Sequence, residues 1–430
     1  IPLAHVPRVM TDKKHDAPRK FLQGAYITAS LYVKNNLDAC ASACSFGFIF
    51  SFMPIILLIL TIFINILHVS SFAVQTIISL AEDLGAGFDV MKFIDTLSDG
   101  ATLSFVNIVL GFFIVWMARK LFLSIVQGLA QIFKPVARAR PIIKQLLTFA
   151  GVLIAVIVAA VMFFAAFTTR QIFSLPLFTY ISENIGLPVL FSRLSNRLTN
   201  TALYVMLFIL TVIAYKFATG SRPPFKLCVV FSGLCTISFY VFIAVISFFL
   251  NRANYNTIYG VLSNLVVLLF EVYIFFTLFL FFAQGIYTVQ YFPSLLLTEL
   301  YLLPRRDSPR IAHSLRRLLF ILPSALITEE NTLRLNEGET VYSAGSIADC
   351  VYYVVSGSVK EVRGMTQSYR DKGMFFGEPE VLLNMERQGN TAAESPCILL
   401  RIPSEDFSAL IKKDAKASVK AMSKLAEFKA

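Results

Sequence analysis

The sequence predicts an α-helical polytopic membrane protein with six transmembrane helices, followed by a C-terminal β-roll with attached helices. Three observations predict it. Long runs without an ionisable side chain recur through the first 300 residues. Lysine and arginine gather in alternate loops. After residue 304 the pattern changes to short alternating strands punctuated by glycine. Composition agrees. Hydrophobic residues make up 56% of the 430 residues and charged residues 15%, against roughly 45–50% and about 25% in soluble proteins. Mean hydropathy is +0.69. These values exclude a soluble globular enzyme, a disordered chain and a secreted disulfide scaffold.

The elements follow in chain order. Residues 13–36 read as a lead-in helix of mixed charge with Phe21, Tyr26 and Tyr32. The runs 39–67, 100–118, 145–169, 198–215 and 227–251 carry no ionisable side chain, and each approaches or exceeds the roughly 20 apolar residues a span needs. The run 253–298 carries one, Glu271. Its polar ends place a sixth helix near 259–288. Pro54 should kink the first span, because proline removes a backbone donor. The stretches 121–133 and 172–192 are too short to span and are expected to lie at the interface or against the bundle.

Orientation follows from charge. The N-terminal segment and the stretches 119–144, 216–226 and 299–320 hold 20 basic residues, and the alternate loops hold five. Both termini are therefore expected to face the cytoplasm. The net charge of +11 belongs to that membrane asymmetry, and no nucleic-acid partner is expected. The chain begins at Ile1 rather than Met, which leaves room for residues upstream, and its first 36 residues lack the apolar core of a signal peptide.

Residues 304–310 read as a linker by their prolines and charges. A basic amphipathic helix is expected over about 309–325, with Leu315, Leu318, Leu319 and Leu322 on one face. Gly338, Gly345, Gly357, Gly373 and Gly377 fall at turn-like positions. Tyr352–Val355 and Ser358–Val362 read as neighbouring strands about Gly357. The tail 404–428 reads as helical, with Phe407, Leu410, Ile411, Val419, Met422 and Leu425 at helical spacing.

The chemistry-bearing residues are few. Cys40, Cys44, Cys228, Cys235, Cys350 and Cys397 form no CxxC pair and are expected to be reduced thiols. The four histidines are scattered, with no metal-ligand spacing. No P-loop or GxSxG occurs. The chain is therefore expected not to be an enzyme, and no metal is expected. Glu271 stands out, because a charged carboxylate at mid-membrane costs about 2.5–3.5 kcal/mol on insertion scales. It is protonated, paired with a cation, or lines a polar path, with Asn107, Asn264 and Gln284 as candidate company. The bland alternative is a neutral acid bonded to a neighbouring helix.

Two resemblances add to this. Ala41-Ser42-Ala43-Cys44-Ser45-Phe46, then Ser51-Phe52-Met53-Pro54, and later Asn254-Tyr255-Asn256-Thr257-Ile258-Tyr259-Gly260, resemble the signatures of the YihY / virulence factor BrkB family of bacterial inner-membrane proteins, over about 20–300. That resemblance implies a multi-pass protein of the bacterial inner membrane. Phe282-Ala283-Gln284 departs from the family's Gly-Ala-Glu-like triplet. The family's former name, ribonuclease BN, has no clustered metal ligands to support it here. Glu337-Gly338-Glu339, Gly345, Val351–Val359, Gly373-x-x-Phe376-Gly377-Glu378 and Arg387 resemble a cyclic nucleotide-binding domain over about 325–412. The expected organisation is a cytoplasmic segment 1–36, a six-helix membrane domain 37–300, a linker and amphipathic helix 301–325, and a cyclic nucleotide-binding-like domain 326–430.

The second resemblance implies a cassette for cyclic AMP or cyclic GMP. Gly377 allows close backbone approach, Glu378 accepts from the ribose 2′-OH, Arg387 pairs with the phosphate, and Gln388 and Gly389 offer backbone donors. Pro379 begins a short helix over 379–384. Glu386, where the family usually has proline, and Glu380, one turn earlier, are expected to weaken phosphate attraction. The alternative is a β-roll that has kept its fold and lost its ligand, with Arg387 paired to Glu378 or Glu386. Expected partners are the lipid bilayer, a cyclic nucleotide and a second copy in a homo-oligomer. The function expected is an envelope role, moving a lipid or small solute under control of the C-terminal domain. The alternative is a non-transporting scaffold whose β-roll recruits a protein.

Overall fold

A computed structural model describes residues 13–50, 116, 119, 122–133, 188–217, 223–249, 261–303 and 311–429. Pro54, Asn107, the spans 100–118 (save residue 116) and 145–169, and most of the first span lie outside the described residues. The described helices of the first part are α1 (Lys13–Lys34), α2 (Leu37–Phe50), α3 (Phe122–Phe133), α4 (Pro188–Phe217), α5 (Phe225–Phe249) and α6 (Val261–Gln290). Then come α7 (Phe292–Tyr301) and α8 (Ile311–Phe320). The chain divides into two compact units, residues 29–287 and residues 1–28 with 288–430.

In the first unit the expected runs become helices. α5 covers 227–251 and α6 covers 259–288 to within two residues. α4 is longer than the 198–215 run and takes in Arg193 and Arg197. Two helices among the described residues are long and apolar enough to cross a membrane, at Phe225–Ile246 and Val266–Gln290. At 1.5 Å per residue, 22 residues reach about 33 Å, against a hydrocarbon core of about 30 Å. On α5, Val230, Leu234, Ile237, Val241, Val245 and Phe248 are exposed at three- and four-residue intervals. That makes one apolar face along the helix.

The small residues of the 41–46 run show why α2 packs closely. Ala41, Cys44 and Ser45 are buried, with Leu37 one turn earlier. Leu37, Ala41 and Cys44 share a core with Leu129 and Ile132 of α3, Tyr215 of α4, Cys235 of α5 and Phe279, Leu280 and Ala283 of α6. Small side chains bring helix backbones near, which suits packing by van der Waals contact in apolar surroundings. The Tyr215 hydroxyl donates to Phe279 O at 2.8 Å, and its ring stacks on Phe279 at 4.9 Å between centroids.

The second unit is an antiparallel β-roll with helices. Its strands are β1 (Thr332–Leu335), β2 (Thr340–Tyr342), β3 (Cys350–Ser356), β4 (Ser358–Arg363), β5 (Thr366–Asp371), β6 (Phe375–Phe376), β7 (Asn390–Ala393) and β8 (Cys397–Pro403). They form two four-stranded sheets, ordered β1-β8-β3-β6 and β2-β7-β4-β5. β3 and β4 are therefore not partners, as neighbouring strands in a hairpin would be. Gly357 carries the chain from one sheet to the other at φ +79°, where a Cβ would lie 2.5 Å from Pro396 O. The true hairpin is β4–β5, in register from Ser358 opposite Asp371 to Arg363 opposite Thr366.

Two helix expectations change. The helix expected over 309–325 ends at Phe320, because Pro323 disfavours helical backbone before it. Leu322 lies beyond it, and Leu318 is exposed. Its terminal carbonyls are met by α1: Arg19 donates to Leu318 O at 3.1 Å and Gln23 to Leu319 O at 2.9 Å. These side chains satisfy backbone acceptors that a helix end leaves open. The tail is two helices, α10 (Ser404–Lys413) and α11 (Ala415–Lys429), broken where Asp414 is extended. The short α9 (Glu378–Leu383) precedes them in the chain. Ala417 and Ala421 form the buried face of α11, and Val419 and Met422 are exposed.

Candidate functional site

The candidate site is the segment from Phe375 to Asn390. Gly377 precedes α9 at φ +76°, a backbone state that glycine adopts without steric cost. The close approach it permits is intramolecular. A Cβ there would sit 2.5 Å from Arg387 Nη1. α9 runs over 378–383, one residue earlier than expected, and stops at Asn384 in the left-handed region (φ 53°).

Arg387 is 2% exposed and points into the roll. Its Nη1 donates to Gly377 O at 2.9 Å, and its Nη2 donates to Cys350 O. The guanidinium lies over the Tyr342 ring, with Cζ 4.4 Å from the centroid, and 5.8 Å from that of Tyr352. Tyr342, Tyr352 and Phe376 form an aromatic slab, with Tyr352 and Phe376 stacked at 5.3 Å and 17°. A planar cation on aromatic faces is favourable, the more so when shielded from water. The backbone of Arg387 is fixed as well: its N–H donates to Ser346 O at 2.9 Å, and its carbonyl accepts from Gly345 N at 2.8 Å.

The pairing of Arg387 with Glu378 or Glu386, offered as the alternative to a phosphate, is corrected. Glu386 is exposed, turned outward past the bend at Asn384. Glu378 is 3% exposed and pairs with Lys424 of α11. The acid nearest Arg387 is Glu380, 3.9 Å from Nη1. Glu380 is also 3.1 Å from Arg363, which in turn holds Glu361 at 2.6 Å. Arg370 reaches the other Glu361 oxygen at 3.3 Å. Three buried carboxylates thus share four cations drawn from β4, β5, α11 and the segment after α9. Burial of the Tyr342 phenol pushes its pKa well above the usual value, and the Glu361 charge pushes it further. It stays protonated.

Gln388 is exposed and donates to Glu386 O at 3.0 Å. Gly389 is buried against Val362 and Arg363 of β4. The structure brings Gly377, Glu378, Arg387 and Gly389 into one neighbourhood, with Gln388 at its edge. Sequence reasoning missed Lys424, Arg363 and Glu361. No local pattern marks them, because each comes from another element.

The unit of helices holds the other expected site. Glu271 is half-buried on α6. Gln284 is thirteen residues further along the same helix, about 20 Å at 1.5 Å per residue, so it is not company for Glu271. Its side chain is fully buried and accepts from Asn35 Nδ2 at 3.1 Å. Asp38, which the sequence reading passed over, accepts from the Tyr273 hydroxyl. Among the described residues no group of three or more His, Cys, Asp or Glu could hold a metal ion. All six cysteines are free thiols.

Comparison with known proteins assigns the two parts. A family model described as Virulence factor BrkB matches residues 28–294, and one described as Cyclic nucleotide-binding domain matches residues 332–414. Similar solved structures include a cyclic nucleotide binding protein of Ruegeria pomeroyi, at 24% identity over 25% of this chain and 51% of that one, with a TM-score of 0.20. The catabolite activator protein of Thermus thermophilus is similar at 20% identity over 30% of this chain and 57% of its own, with a TM-score of 0.22. The EAL enzyme Bd1971 in its cAMP-bound form is similar at 16% identity over 23% and 28%, with a TM-score of 0.20. The chain spans about half the length of the first of these. No curated protein matches it.

Proposed function

Since the chain belongs to the Virulence factor BrkB family and carries a cyclic nucleotide-binding domain behind the family region, we propose that it is a multi-pass membrane protein regulated through that domain. The membrane part takes six helices in the bacterial inner membrane, with both termini in the cytoplasm. This rests on the charge-free runs and on the excess of basic residues in alternate loops. The activity under control is movement of a lipid or small solute across the envelope, and the chain is not an enzyme. The controlling ligand is cyclic AMP or cyclic GMP, bound through Glu378 and Arg387 with backbone donors near Gln388 and Gly389.

One observation carries the regulatory reading. Tyr301, at the end of α7, packs its ring on Phe375 at 5.2 Å and on Phe407 at 5.3 Å, and its carbonyl accepts from Lys420 of α11 at 2.5 Å. One turn along α11, Lys424 holds Glu378. In the chain α7 follows α6 after one residue, Tyr291. A ligand that took Glu378 from Lys424 would therefore change the packing of the segment that continues the last apolar helix. Coupling needs such a differential contact between two states.

Calorimetric titration of cyclic AMP and cyclic GMP into the full chain in lipid nanodiscs tests this, with Arg387→Lys beside it. Micromolar binding, weakened at least tenfold by the lysine, is the expected result, because lysine keeps the charge and loses the two-pronged donor. No heat at millimolar nucleotide from a folded chain, and none when Glu380 is replaced by Gln, would remove the nucleotide and leave the β-roll as a module for a protein partner.

A further inference from the structure

Glu380 lies two residues past Glu378 on α9 and is 0% exposed. Its carboxylate oxygens are buried and make no hydrogen bond. Nearby charge holds it instead: one oxygen is 3.1 Å from Arg363 Nη2, and the other is 3.9 Å from Arg387 Nη1. A buried carboxylate short of hydrogen bonds is tolerated only where cations offset its desolvation. The other carboxylates of the cluster are occupied differently. Glu361 accepts from Arg363 and Arg370, and Glu378 pairs with Lys424. Glu380 is the one carboxylate within 4 Å of Arg387 among the described ion pairs.

We propose that the Glu380 carboxylate is a tethered anion standing in for a ligand phosphate in the field of Arg387 and Arg363. The inference rests on the reading that Arg387 receives the phosphate of a cyclic nucleotide. A cyclic phosphate carries one negative charge, as Glu380 does. Both cannot share the same guanidinium groups without like-charge repulsion, which a water-poor interior strengthens. The loose 3.9 Å contact to Arg387, without a hydrogen bond, makes Glu380 a competitor that the two exocyclic oxygens of a cyclic phosphate can displace. The ligand must also draw Arg387 from Gly377 O and Cys350 O. The Nη atoms of Arg387 thus already have acceptors, and Glu380 raises the nucleotide concentration at which the domain responds.

The test is titration of cyclic AMP and cyclic GMP into the full chain in nanodiscs, comparing wild type with Glu380→Gln and Glu380→Ala. The glutamine keeps the shape and removes the charge. The alanine removes both, so a packing fault in one variant does not stand alone. Circular dichroism and the thermal midpoint confirm that each folds. The expected result is a Kd at least tenfold lower in a folded Glu380 variant, including the case where wild type shows no heat and the variant binds. Binding by wild type with an unchanged or weaker Kd in both folded variants overturns the tethered anion and leaves the nucleotide reading standing. No binding by wild type or either variant at millimolar nucleotide overturns both. Loss of folding in both variants makes Glu380 a fold-holding residue and overturns the proposal.

Discussion

The helical unit of residues 29–287 and the β-roll unit bury polar groups in opposite ways. In the helices, hydroxyls bond within their own helix or to the next one. Ser45 donates to Ala41 O at 2.7 Å, Thr236 to Ser232 O at 3.0 Å and Thr277 to Tyr273 O at 2.9 Å. In the roll, carboxylates are buried and matched by side-chain cations: Glu361 with Arg363 two residues along β4 and with Arg370 of β5, Glu378 with Lys424 of α11. The difference follows the composition of the two units. An apolar helix satisfies a hydroxyl locally at little cost, and an ionised group among apolar side chains is expensive. Strands that carry charged side chains can trap ion pairs as the sheets close. The comparison predicts that single polar deletions should hurt the roll far more than the bundle.

The largest effect belongs to Arg387→Ala. It removes donors to Gly377 O and Cys350 O, uncovers the Tyr342 face and leaves Glu380 with less opposing charge. Breaking a buried charged group out of its partners costs about 3–5 kcal/mol. Denaturant unfolding of the full chain in micelles, followed by hydrogen exchange in β3 and β6, should show that loss. A change under about 1 kcal/mol would mean that the guanidinium is as loosely held as a surface arginine.

How much of this was legible in the sequence differs between the units. The runs at 227–251 and 259–288 fall on α5 and α6 because charge-free length is a local property. The glycines marked turns, and the resemblance to a cyclic nucleotide-binding domain put Glu378 and Arg387 in one cassette. What spacing does not carry is the partner. Lys424 is 46 residues from Glu378, and Cys350 is 37 from Arg387. Glu386, adjacent to Arg387 in sequence, is turned out by the bend at Asn384, and Glu380, seven residues away, is turned in. Helical spacing in 404–428 found the buried Phe407 and Leu410 of α10 and missed the face of α11, which packs through Ala417 and Ala421 rather than its larger side chains. Likewise, β3 and β4 are consecutive in sequence and lie in different sheets.

Lys424→Ala should come next in size. Glu378 keeps 4% side-chain exposure while Lys424 keeps 31%, so solvent screens one end of the pair. The loss should be about 1–2 kcal/mol, the larger part from leaving a buried carboxylate unpaired. The sharper readout is regional. Amide exchange should quicken in α11 and α9 and stay unchanged in β1 and β8. Uniform protection in α11 would show that Ala417 and Ala421 hold the helix without the ion pair, and the link from Glu378 to α11 would then be packing rather than charge.

The smallest effect tests the other side of the comparison. Tyr215→Phe in α4 removes the hydroxyl that donates to Phe279 O and keeps the ring stacked on Phe279. Phe279 lies inside α6, where a backbone carbonyl already has its own helical partner, so no acceptor is left bare. The net worth of such a bond is about 1 kcal/mol, and the unfolding midpoint in micelles should move accordingly little. A loss near that of Arg387→Ala would break the contrast between the units. It would mean that the inter-helix bond between α4 and α6 fixes their packing as firmly as the buried guanidinium fixes the roll.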